Sequence, residues 1–368
     1  MADLTLREAT LDDQAAVDAV RVRCGLEPER APGAWEWLWR VNPDATPQMS
    51  PGWVLEHQGR IAGFIGCVPR SYHFRGRRWK CVAARAFVVE REFARDSLRL
   101  VAAFFTRGDA DLLLNTSANA TAAAIFRASG ALALPQPHYD ESLVWPVSGA
   151  GLAASWLRRR GVGNALAAVA GRAVGPIADA AQRLDARVPA APGATVRRYD
   201  PGEAGETFDR LWQDLCAEWP DRLLARRDGA ALRWQWGHPA AASRQAVILA
   251  MESAGVLNGY AVVIREDSVR YGLKRARIVD LIARDDSAVT LRALIGAAYQ
   301  HAREQRVHVL DMVGFPSSVR AVALDLRPLT APLAAVPFWY RTVNRELGAA
   351  LAGATAWYAS PCDGDAAL

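Results

Sequence analysis

The chain has 368 residues, 51% of them hydrophobic and 23% charged, with a formal net charge of +5; this length suits two domains and this composition a folded chain, not a disordered or collagen-like one. No apolar run reaches the roughly eighteen uncharged residues of a membrane-spanning helix, and the five cysteines are scattered without a CxxC pair, which argues against a disulfide framework or a thiolate zinc site. The positive surplus is almost all arginine, since Lys80 and Lys274 are the only lysines; it suits a small anionic ligand and lacks the clustered stripe of a nucleic-acid binder, so no nucleic-acid partner is expected.

The opening LTLREATLDDQ predicts a short strand and then a helix start at Asp12 and Asp13, whose carboxylates satisfy free amides. It is acidic early and has no apolar core, so no secretory signal is expected and the cytoplasm is the expected compartment. Val54–His57 and Arg60–Pro69 read as two strands across a turn at Gly59, and KCVAARAFVVE reads as a third. A helix over Asp96–Thr106, a strand over Ala110–Leu114 and a helix over Ala118–Ala128 follow. From about Gly149 the chain turns rich in Ala, Gly and Arg. This segment predicts two short helices broken around Gly161–Gly163 and a Pro/Ala linker near Pro189–Pro192. Its basic amphipathic pattern reads either as an insert packed on one domain or as a surface for a membrane or an anionic polymer.

At Thr195 the pattern restarts. TVRRYDPGEAGETFDRLW repeats the first strand and helix, AVILAMESAGVLNGYAVVIRED repeats the paired strands, and a strand, helix, strand and helix close the series. A Trp-x-Trp phrase followed by proline also recurs, in PGAWEWLWRVNP and in RDGAALRWQWGHP. The chain is therefore an internal duplication, divided as 1–148, a helical insert over 149–194, and 195–368. Aromatic residues two apart on a helix face different ways. Of Trp35, Trp37, Trp39, Trp234 and Trp236, some are expected in the cores and others, notably Trp37 and Trp234, at the cleft or the contact between halves.

The order strand, helix, three strands, helix, strand, helix resembles the GNAT (GCN5-related N-acetyltransferase) superfamily. In NATAAAIFRASG, the residues Asn119, Ala122, Phe126 and Gly130 hold positions at which that family often has Asn, a small residue, Tyr and Gly. The resemblance implies an α+β fold of two duplicated domains, each a mixed central sheet flanked by helices. It also implies acetyl-CoA or another acyl-CoA as co-substrate, and no metal. Carried over residue by residue, it places Val88 and Val89 beside the pantetheine arm, and Arg95, Ser97, Arg99, Asn119 and Phe126 near the coenzyme. Two features depart from the family. The glycine-rich pyrophosphate loop is missing in both VVEREFARDSLRLV and LIARDDSAVTLRAL, so Arg95 and Arg99 would have to supply direct charge. Phe126 stands at the tyrosine position and cannot donate a proton.

Acyl transfer to an amine needs a proton acceptor, a donor for the thioester oxygen, and close positioning. Candidate acceptors are Glu90, Asp280, Asp363 and Asp365. Asp280 is a lone carboxylate in an apolar strand and must be functional or paired, for example with Arg277. Asp363 and Asp365 lie in PCDGD, a motif similar to the acidic ends of tandem family members that fold back into a cleft. His138 and Tyr139 lie in a loop that could reach the acceptor. No histidine pattern has metal-ligand spacing. The leading expectation is an N-acyltransferase acting on a small amine, such as a nucleotide-linked amino sugar or another biosynthetic intermediate. An aminoacyl-tRNA donor and a non-catalytic binding or scaffold role stand as alternatives.

Overall fold

The computed structural model describes residues 4–29, 31–181, 184, 193–333 and 338–365, with only the backbone of 174–181. The predicted linker at Pro189–Pro192 lies outside the described residues. The first half runs β1 (Leu4–Glu8), α1 (Gln14–Arg23), α2 (Ala34–Trp39), β2 (Gly52–His57), β3 (Arg60–Phe74), β4 (Arg77–Val89), α3 (Ser97–Thr106), β5 (Leu112–Asn115), α4 (Ala120–Ala128), β6 (Leu132–Ala133) and β7 (Glu141–Pro146). Helices α5 (Gly149–Arg159) and α6 (Asn164–Ala181) follow. The second half repeats the series as β8 (Ala194–Tyr199), α7 (Glu206–Glu218), β9 (Leu223–Ala225), α8 (Gly229–Leu232), β10 (Val247–Ser253), β11 (Val256–Arg265), β12 (Arg275–Ala283), α9 (Ala288–Glu304), β13 (Val309–Val313), α10 (Ser317–Asp325), β14 (Leu329–Pro332), β15 (Trp339–Thr342), α11 (Arg345–Leu351) and β16 (Trp357–Tyr358). The expected mixed α+β architecture, built twice, is what the chain forms.

The sheets show an arrangement the sequence does not announce. The first has the order β1-β2-β3-β4-β5-β15-β6 and the second β14-β7-β13-β12-β11-β10-β8. Each half thus gives strands to the other: β7 joins the second sheet, while β15 joins the first, to which β9 and β16 also attach through the end of β3, with Tyr72 opposite Ala225. β7 lies antiparallel between β13 and β14, with Leu310 opposite Trp145. β15 lies antiparallel between β5 and β6, with Trp339 opposite Asn115 and then Ala133. The parallel contacts within the duplicated frame are β4–β5 and β12–β13. Each is short, ending at Ala83–Leu114 and at Ile278–Met312. Beyond those points the two strands of each pair part, which opens a cleft in each half.

The repeated tryptophan phrase is a reciprocal pin. Trp37 Nε1 donates to the Trp234 carbonyl at 2.7 Å, and Trp234 Nε1 donates to the Trp37 carbonyl at 2.8 Å. Both rings are buried, 5.9 Å apart. Trp35 and Trp39 turn into the first core beside Phe64, and Trp236 into the second. Residues 233–237 form a π-helical turn that sets Trp234, Gln235 and Trp236 all inward. Trp234→Phe removes one donor and leaves a buried carbonyl unpaired. It is expected to cost about 1–3 kcal/mol, read as a lower urea midpoint.

Candidate active site

The first-half cleft is open. It holds about 300 Å³ between the free edge of β4, the start of α3 and the start of α4, and is lined by Phe87, Val88, Val89, Ala94, Ser97 and Asn119 among others. The structure therefore brings Val88, Val89, Ser97 and Asn119 into one groove. Asn119 caps α4, its Oδ1 accepting from the Ala122 amide at 2.9 Å. Ala86, just before the groove, has φ 52°. A non-glycine residue in that region is uncommon, and here it marks the bulge at which β4 leaves β5. Phe126 does not line the groove. It is buried beneath it, 6.2 Å from Phe87 and 5.3 Å from Phe105.

In place of a glycine loop, residues 91–96 form a 3₁₀ turn held by buried Phe93, whose ring lies 5.0 Å from His57. Beside it a second hollow of about 620 Å³ is lined by Arg23, Arg60, Val89, Glu90, Arg91 and Glu92. Arg91 and Arg95 are exposed and make no ion pair among the described residues. Arg99 turns away, donating to the Leu4 carbonyl at 2.9 Å and lying 3.7 Å from Asp96. Glu90 is held by Arg23 and Arg60. Burial works to raise it, but the hydrogen bonds from the two arginines outweigh that and hold it below the usual carboxylate range. Such a group is a poor proton acceptor. Sequence reasoning missed Arg91, Cys24 and Phe87 in these walls; alternation along β4 would have flagged Phe87 together with Val89.

The second-half cleft is filled by the chain's own end. Tyr358 stacks on Trp219 at 5.2 Å and its hydroxyl donates to the Leu281 carbonyl at 2.7 Å. The Cys362 amide donates to the Val279 carbonyl at 3.0 Å. Leu281, Ile282 and Ala283 are consequently fully buried, whereas Phe87 and Val89 in the first half are partly exposed. The loop before α9 is also taken, because the Asp285 amide donates to the Glu218 carboxylate. A carboxylate occupies a donor that a phosphate would need.

Buried charges lock this end in place. Arg227 Nε donates to Asp280 at 2.9 Å, its Nη2 to Asp363 at 2.9 Å and to Ser360 Oγ at 3.2 Å, and its Nη1 to the Ala225 carbonyl at 2.9 Å. Tyr260 and Ser360 hydroxyls complete Asp280, each at 3.0 Å. The partner of Asp280 is therefore Arg227 and not Arg277. Arg277 faces Asp311 across the β12–β13 register and pairs with it at 2.8 Å. Asp365 reaches the first half, accepting from Thr116 Oγ1 at 2.7 Å and from Ser117 Oγ. Gly364 permits this approach, since a Cβ there would lie 2.4 Å from Thr116 and its φ is 80°.

Between the halves lies a cavity of about 180 Å³. Its apolar walls include Ile264, Val279, Val313 and Phe338, and its polar groups include Tyr139, Arg244 and Asp363. The Tyr139 hydroxyl is buried without a partner among the described residues. His138 (φ 75°) sits in the adjoining loop but not in the wall, while Trp37 borders a neighbouring hollow of about 340 Å³ with Arg85 and Arg244. Burial and nearby Asp280 raise the Asp363 carboxyl above its usual range, against the pull of Arg227. A carboxyl raised on folding contributes stability that is present at low pH. That stability is lost as pH rises from the unfolded value of about 3.9 through the folded value. Asp363→Asn is expected to remove that fall, so that urea stability measured from about pH 4 to 7 declines less with pH than in the wild type.

No protein-family model and no curated protein matches the sequence. Solved structures do match. A GCN5-related N-acetyltransferase from Anabaena variabilis superposes with a TM-score of 0.59 at 11% identity, over 93% of this chain and 73% of that one. The chain has a GNAT fold, built twice. A probable N-acyltransferase from Enterococcus faecalis is similar over the same shares at 11% identity, with a TM-score of 0.60. N-myristoyltransferase from Saccharomyces cerevisiae, solved with bound myristoyl-CoA, is similar at 10% identity over 93% of this chain and 80% of that one, with a TM-score of 0.52. Among the described residues no three His, Cys, Asp or Glu side chains are placed to hold a metal, and no helix is long and apolar enough to cross a membrane.

Proposed function

We propose that this chain is an acyl-CoA-dependent N-acyltransferase that binds the coenzyme in the first half and the acceptor amine in the cavity between the halves. The observation that carries the reading is the asymmetry of the two clefts. One is open along β4, with exposed Arg91 in the adjoining hollow and exposed Arg95 next in the chain to its wall residue Ala94, neither ion-paired among the described residues; the other is occupied by residues 358–363. The free edge of β4 can pair with an extended amide-bearing arm. The backbone at the Ala86 bulge is the candidate donor to the thioester oxygen. The amine nitrogen attacks the thioester carbon, the carbon–sulfur bond breaks, and the thiolate leaves with the coenzyme. Asp363 is the candidate acceptor of the amine proton, because it lines the cavity between the halves and burial raises its proton affinity, whereas Glu90 lies outside that cavity. The Asp363 Oδ1 accepts from Arg227 and its Oδ2 from the Ser360 amide. Asp365 does not line that cavity and serves as a clamp on Thr116 and Ser117.

The acceptor is a small amine with an apolar body. The nucleotide-linked amino sugar expected from charge is large for a cavity of about 180 Å³, whose apolar walls of Ile264, Val279, Val313 and Phe338 stand beside Arg244, Glu266, Arg277 and Asp363. Calorimetric titration with acetyl-CoA and with longer acyl-CoAs tests the donor. Micromolar binding with one site per chain is expected, weakened about tenfold by Arg91→Glu with Arg95→Glu through loss of charge-assisted contacts. Absence of binding at every chain length would leave the scaffold reading in its place.

A further inference from the structure

Helices α5 and α6 form an antiparallel hairpin on the outside of the second half. Its inner side is tight. A Cβ at Gly171 would lie 2.5 Å from the Ala150 carbonyl, so the two helices meet backbone to backbone. On the body side, Ser155 Oγ donates to the Gly272 carbonyl at 3.3 Å and Gly151 abuts the His308 ring. The outer side is unusual for a surface. Leu166, Val169 and Ala173, spaced i, i+3 and i+7, share the outward face of α6. Leu166 is 66% exposed, Val169 65%, and Trp156 on α5 51%. The turn 269–271, against which α5 packs, adds Val269 at 93% exposure.

The charge on the hairpin is mostly of one sign. Its two helices carry Arg158, Arg159, Arg160 and Arg172 against one acidic residue, Asp179 near the end of α6. Arg160 lies over the Trp156 ring at 4.0 Å. Exposed aliphatic residues, an interfacial indole and a rim of arginines are the features by which a helix lies on an anionic bilayer. A second copy of the chain would set two arginine clusters against each other, and a nucleic acid would leave Leu166 and Val169 without a partner.

We propose that the α5–α6 hairpin docks the protein on membranes bearing anionic phospholipid. Co-sedimentation of the full chain with vesicles tests this. Wild type is expected to pellet with phosphatidylcholine vesicles containing roughly a third phosphatidylglycerol, to stay in solution with phosphatidylcholine alone, and to be released by salt. Trp156→Ser with Leu166→Ser and Val169→Ser, and separately Arg159→Gln with Arg160→Gln and Arg172→Gln, should each lower partitioning by about tenfold or more. All six residues are exposed, so circular dichroism should be unchanged. The proposal is overturned if wild type ignores anionic vesicles or if both triple variants bind as well as wild type. It is equally overturned if sedimentation velocity shows a dimer that the serine triple dissociates.

Discussion

Arg227→Met is expected to lower stability by about 3–5 kcal/mol, the largest effect of any single substitution considered for this chain. Asp280 and Asp363 are fully buried, and Arg227 is the cation that neutralises both. Methionine fills the space but leaves two carboxylates facing one another in a dry interior. Total stability of a domain is about 5–15 kcal/mol, so the variant should be largely unfolded near body temperature or collect as insoluble protein. A second variant separates charge from packing. Arg227→Met combined with Asp280→Asn and Asp363→Asn removes the whole group, and removal of a complete buried set is far milder than removal of one partner. Urea unfolding should place the triple variant well above the single one. If Arg227→Met keeps the wild-type midpoint, the network is not what fixes the chain's end.

The second large effect concerns the open groove. Ala94 lines it and is exposed, so Ala94→Trp fills space that no protein atom uses. Stability should stay within about 0.5 kcal/mol of wild type. Coenzyme affinity should fall by about 100-fold, the equivalent of roughly 2.7 kcal/mol, because the indole takes the place of the pantetheine arm. Calorimetry and thermal unfolding on one preparation decide between the outcomes. Undiminished binding would move the coenzyme elsewhere. Lost binding with lost stability would mean that the ring disturbs α3 instead.

What the sequence discloses here is local. The strands around Gly59, the helix over 97–106 and the helix capped by Asn119 rest on spacing and caps within about a dozen residues, and they form close to where they are expected. Val88, Val89, Ser97 and Asn119 converge for the same reason, since strand, turn and helix follow directly in the chain. The partner of Asp280 was illegible because Arg227 lies 53 positions away on a different element, while Arg277 lies close in sequence but is matched to Asp311 by strand register. The plugging of the second cleft was legible only in part. The resemblance implied that PCDGD folds back into a cleft, but nothing in YASPCDGD marks which strand will receive it; the bonds from Tyr358 and Cys362 to β12 and the burial of Leu281, Ile282 and Ala283 reveal which space is taken.

The exchange of β7 and β15 bears on how the chain is made. During synthesis the first half emerges without the strands that cover β5 and the end of β3; Asn115 has to wait for Trp339, and Tyr72 for Ala225. Until then one edge of the nascent sheet, next to the future groove, offers unpaired amides and carbonyls to any extended segment nearby. Contacts so distant in sequence form slowly. The newborn protein should therefore lean on chaperones for as long as the ribosome is still working on its second half, and severing the two halves into separately expressed pieces should yield two insoluble fragments that become soluble only when produced together.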